Sequence, residues 1–131
     1  MKRTFLPSGW SKPRGYANAV AARGTSVYIA GQIGWDADEQ FHSAEFAAQA
    51  RQALLNVAAA LGAAGGRPEH LVRMTWYVTD KHEYLASLRE VGQAFREVIG
   101  DYDIAMSAMQ VAALIEDEAK VEIEATAVIP D

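Results

Sequence analysis

Cysteine is absent from this chain of 131 residues, which excludes disulfides, zinc–thiolate sites and a thiol nucleophile. Basic side chains are in deficit, with 12 Lys and Arg against 17 Asp and Glu and a net charge of −5. Nucleic-acid binding rests first on clustered Lys and Arg, and here the basic residues are scattered, so no nucleic-acid partner is expected. No apolar run approaches a membrane span or the core of a signal peptide, and the expected location is cytoplasmic. Serines are few and none sits in a G-x-S-x-G elbow. "GAAGG" lacks the Lys and Ser/Thr of a phosphate loop and reads as a helix stop. The three histidines, His42, His70 and His82, show no metal-ligand spacing and read as surface or capping residues, so no metal is expected.

What is present is periodicity. The length fits one domain spanning residues 1–131, large enough to bury a core of its own, and no repeat or low-complexity linker divides it. Pro7, Pro13, Gly9, Gly15 and Gly24 make the opening stretch read as an irregular lead-in to a first strand near "YANAVAA". "GTSVYIAGQIGW" follows as a turn and a strand, and the two suggest a hairpin.

From Ser43 the period becomes helical, with Phe46, Ala50, Leu54, Val57 and Leu61 on one face. Ser43 is the expected N-cap and Gly65-Gly66 the stop. "HLVRMTWYVTD" predicts a strand with Val72, Met74, Trp76 and Val78 alternating against Arg73, Thr75, Tyr77 and Thr79. A second helix is expected from Asp80, in a capping-box-like pattern with Glu83, through Leu85, Leu88, Gly92, Phe95 and Ile99 to Gly100. Two more strands, "IAMSAMQVAAL" and "KVEIEATAV", flank the acidic turn "IEDEA".

The resulting order, β-β-α-β-α-β-β, predicts an α+β fold with both helices on one face of a single mixed sheet. The other face must then be polar, oligomeric or part of a site. Tyr28, Gln32, Tyr77, Met106 and Val128 fall on the parity opposite the core and point to subunit packing.

In "KVEIEATAV", Val121, Ile123, Ala125 and Ala127 face one way and Glu122, Glu124 and Thr126 the other. Two carboxylates on one sheet face repel each other. They front either water or a pocket that uses one of them as a base. Trp76 reads as core packing, whereas Trp10 and Trp35 lie in irregular segments where a large ring either leans on the core or lines a pocket. Arg14, Arg23, Arg51 and Arg73 read first as solvated, though any of them facing a cleft would grip a carboxylate.

Taken together, "AGQIGWDAD", "AAQARQALLNVAAAL", "VRMTWYVTD" and "MQVAALIEDEAKVEIEATAV" resemble the Rid family, the reactive intermediate deaminases or YjgF-like proteins, over nearly the whole chain. The resemblance implies a chorismate-mutase-like homotrimer with a cleft at each subunit interface. It also implies hydrolysis of an imine or enamine to a carbonyl product and ammonia, without a cofactor. By position, the family's catalytic glutamate falls on Glu122, with Gly31, Ala108 and Tyr16 as substrate-binding positions; Trp35 joins them as an aromatic suited to a flat substrate. Glu124 is then a structural neighbour.

The family's carboxylate-binding arginine falls on Met106. A thioether makes no charge-assisted hydrogen bond, a loss worth roughly a hundredfold or more in carboxylate affinity. Two readings follow: a deaminase for a larger or less charged imine or enamine, with Arg14 as a substitute anchor, or a non-catalytic protein that binds a small metabolite. The endoribonuclease activity historically attached to the family is disfavoured by the acidic charge.

Overall fold

The computed structural model describes residues 2–131. Six strands, β1 (Lys2–Phe5), β2 (Ala19–Ala22), β3 (Thr25–Ile33), β4 (Leu71–Val78), β5 (Ala105–Gln110) and β6 (Val121–Ile129), alternate with helices α1 (Phe46–Ala63), α2 (Lys81–Ala86) and α3 (Leu88–Val98). Strands β3-β6-β4-β5 form one sheet, antiparallel except for the parallel β4–β5 pair.

The apolar side of β6, Val121, Ile123, Ala125 and Ala127, meets Leu54, Val57 and Leu61 of α1 in a buried core that also takes in Met74, Trp76 and Phe95. Of these, the Val, Leu, Ile, Met and Phe side chains each contribute about 1.5–3 kcal/mol by leaving water. All three helices therefore lie against one face, and the other face of the sheet is left open.

Five expectations are corrected. The sheet is not single, because β1 and β2 pair with each other in a separate two-stranded ribbon. Strand β1 lies in the stretch read as irregular; Lys2 holds it in place by donating to the Leu71 carbonyl at 2.8 Å and to Asp103 at 2.9 Å. The expected β2–β3 hairpin does not form, since β3 takes β6 as its neighbour.

The expected second helix is two helices. Asp80 does cap the first, accepting from the backbone N–H groups of His82 and Glu83. Ser87 then breaks the run: its hydroxyl donates to the Glu83 carbonyl at 2.8 Å, a back-bond that bends helices. At the start of α1, Ser43 is not the N-cap. Glu45 holds that place, and the Ser43 hydroxyl accepts from the Glu45 N–H instead.

Within β4 a register shift between Leu71 and Arg73 moves the pattern by one, so Leu71 is fully buried and Val72 only half-buried.

Candidate functional site

The register of the sheet assigns every candidate to a face. Tyr77 pairs with Glu122 and Thr75 with Glu124, while Trp76 pairs with buried Ile123. Both glutamates thus stand on the open face, as alternation demands, where Tyr28 also pairs with Thr126 and Ser26 with Val128.

They are not equivalent there. Tyr77 donates its hydroxyl to Glu124 at 2.5 Å. Among the described residues no side-chain hydrogen bond or ion pair occupies Glu122. Strand β3 is shifted in register between Ile29 and Gln32, and within that bulge Gly31 lies under the Glu122 carboxylate. A Cβ at Gly31 would stand 2.0 Å from Glu122 Oε2, so only glycine leaves the carboxylate where it is. Past the bulge, Gln32 pairs with Ile123 of the core side.

Met106 is not on the open face as expected. It pairs with Met74, and Ala108 with Trp76, which turns both toward the helices. There they line a cavity of about 540 Å³ between β5 and α3, together with Tyr84, Val91, Phe95 and Tyr102. Arg14 and Tyr16 form its rim, held along the free edge of β5 by a bridge from Ala17 to Ala105. Tyr102 stacks on Phe95 with centroids 4.7 Å apart, and Trp76 and Tyr84 are tilted together at 6.3 Å.

The candidates therefore fall into two groups in one chain: Glu122 and Gly31 on the open face, and Tyr16, Met106 and Ala108 at the cavity. Trp35 joins neither, packing on Phe41 with centroids 5.9 Å apart while its carbonyl accepts from Asn56. Trp10 is 61% exposed. The α3 side of the cavity was missed in sequence; its one local signal is Gly92, a helix-interior glycine lining that wall. Among the described residues no group of three His, Asp or Glu side chains could hold a metal ion.

The phenols report these environments. Burial pushes the Tyr84 hydroxyl above its ordinary value of 10.0, and the bond to Glu124 does the same for Tyr77. A group raised on folding contributes stability that is fully present below its unfolded value and is lost as pH rises through its folded value. Stability should accordingly fall above about pH 10. In an absorbance titration of tyrosinate, Tyr84→Phe should remove a late-ionising phenol; loss of an ordinary one would contradict the assignment.

A family model described as endoribonuclease L-PSP matches residues 11–129. The chain belongs to the Rid, or endoribonuclease L-PSP, family. A RutC family protein of Pyrococcus horikoshii is 33% identical, covering 97% of this Rid chain and 98% of the relative. The 2-iminobutanoate/2-iminopropanoate deaminase of Salmonella typhimurium is 36% identical over 80% of each chain. Among solved structures, YyfB of the Rid family from Yersinia pestis superposes with a TM-score of 0.86 at 31% identity, covering 98% of both chains. Escherichia coli TdcF with bound serine gives 0.71 at 32% identity, covering 92% of this Rid chain and 91% of that one.

Proposed function

We propose that this Rid protein hydrolyses a reactive imine or enamine to a carbonyl compound and ammonia, and that it works as a cytoplasmic homotrimer whose subunit interfaces form the site. The observation that carries this reading is the difference between the two glutamates: Glu122 lies unoccupied over Gly31, while Glu124 is held by Tyr77. Deaminases among the relatives supply the reaction class.

The opposite-face placement bears on assembly. Glu122 and Gly31 of one copy act on a substrate held at Tyr16, Met106 and Ala108 only if a second copy brings its open face to the β5 edge. Glu122 then takes a proton from water as the oxygen attacks the C=N carbon. The tetrahedral adduct recovers that proton on nitrogen, the proton of its new hydroxyl passes to the same nitrogen as the C–N bond breaks, and ammonia leaves a C=O behind. The atoms of water and imine balance those of carbonyl and ammonia.

Met106, at the position where the resemblance puts the carboxylate-binding arginine, supports placing the chain among members that lack it, and it is the observation that favours the second reading, a protein that only binds a small metabolite. Ammonia release from a panel of freshly generated imines and enamines, by wild type and Glu122→Gln in parallel, separates the two. Turnover by wild type that disappears in the variant supports the deaminase; ligand binding without turnover of any panel member sinks it.

A further inference from the structure

The cavity beside β5 is far larger and more aromatic than a small imino acid needs. Tyr16, Trp76, Tyr84, Phe95 and Tyr102 supply rings to its lining, and Met106 and Ala108 supply apolar floor. Its volume of about 540 Å³ lies in the range that accepts drug-sized ligands. A two- or three-carbon substrate would leave most of it wet against apolar walls. Planar walls favour planar occupants, because ring pairs gain from offset and edge-on contacts beyond the area they bury.

Charge enters at one place only. Among the described residues Arg14 is the sole ionisable lining residue apart from the phenols of Tyr16, Tyr84 and Tyr102, and it makes no ion pair. Gly15, with φ +79°, turns the chain between Arg14 and Tyr16, setting the guanidinium at the mouth and the ring beside it. On α3, Gly92 carries no side chain where it faces the cavity, although glycine inside a helix costs about 0.5–1 kcal/mol against alanine. A Cβ there would stand 3.3 Å from the Tyr102 hydroxyl, which donates to the Gly92 carbonyl at 3.2 Å, so the glycine lets the Tyr102 ring seat closely against that wall.

We infer that the cavity takes the ring of an aryl-bearing imino or enamino acid, with Arg14 at the mouth gripping its carboxylate in place of the anchor that Met106 lacks. This assignment rests on the deaminase reading for its reaction, but not for its binding. The reacting carbon would sit at the mouth beside Ala108, where Glu122 of a second copy can approach.

Calorimetric binding of the oxo-acid products tests the inference without requiring turnover. The full-length protein is titrated with phenylpyruvate, with 4-methyl-2-oxopentanoate as a branched aliphatic control, and with pyruvate. Phenylpyruvate should bind at least about tenfold tighter than either control. Arg14→Gln, at an exposed position, should weaken phenylpyruvate by roughly tenfold or more, as expected for one charge-assisted hydrogen bond.

Equal or tighter binding of pyruvate or of the aliphatic acid overturns the ring assignment. Unchanged affinity in Arg14→Gln overturns the anchor. Phenylpyruvate binding with no imine turned over leaves this inference standing and removes the deaminase; efficient turnover of small imines without phenylpyruvate binding does the reverse.

Discussion

Glu122→Gln should lower turnover by about 10²–10⁴-fold, the usual contribution of a positioned general base, while the thermal midpoint hardly moves. Glutamine keeps the size and hydrogen-bonding capacity of the side chain over Gly31 but accepts no proton from water at working pH. Glu124→Gln is the informative companion. That carboxylate already accepts from Tyr77 at 2.5 Å, so its replacement should leave turnover within a few-fold and instead return the Tyr77 phenol toward its ordinary ionisation. Equal losses in both variants would mean that the face acts through its total negative charge, and the assignment of Glu122 would fall. Steady-state ammonia release and a phenol titration of the two proteins measure both sides of the comparison.

Gln49→Leu should be the most destabilising of the conservative substitutions, by about 2–4 kcal/mol. Gln49 is 1% exposed, and its amide nitrogen donates to the carbonyls of Ser43 at 3.0 Å and Glu118 at 2.9 Å. Its oxygen accepts from the Lys120 N–H at 2.8 Å. One side chain of α1 thus satisfies the segment before its own helix and the loop leading into β6. Leucine fills the space yet strands three backbone groups, at about 1–3 kcal/mol each where water cannot reach; Glu118 is exposed and partly rehydrates, which sets the lower figure. Gly34 fits the same junction, since a Cβ there would stand 2.6 Å from Gln49 Cβ and 2.7 Å from its Cα. Chemical denaturation checks the value, and a loss under 1 kcal/mol would show that the loop rehydrates freely.

Sequence pattern was informative where structure is dictated locally. The alternation in "KVEIEATAV" and the spacing from Phe46 to Leu61 each report a buried face, and β6 and α1 follow it. Strand pairing is not local: nothing in "KRTF" signals a strand, because the four residues are largely exposed and are ordered by β2 and by the bonds of Lys2. Met106 was placed on the wrong face for a related reason. Its direction is set by the register of β5 against β4, which parity counted along one strand does not supply. Glu122 was legible as a candidate from resemblance, but its distinction from Glu124 needed the tyrosine across the sheet and the glycine beneath. The ring-lined cavity joins residues from 14 to 108, a gathering no window of sequence displays.

The division of the candidates between two faces of one sheet carries a genetic consequence. In the proposed trimer, each complete site borrows its carboxylate from one polypeptide and its binding cavity from another. A copy damaged at Glu122 still offers a sound cavity, and a copy whose cavity is blocked still offers a sound carboxylate. Two individually inactive alleles expressed together would therefore rescue one another in mixed assemblies, whereas a site held within one chain would never be repaired by its neighbour.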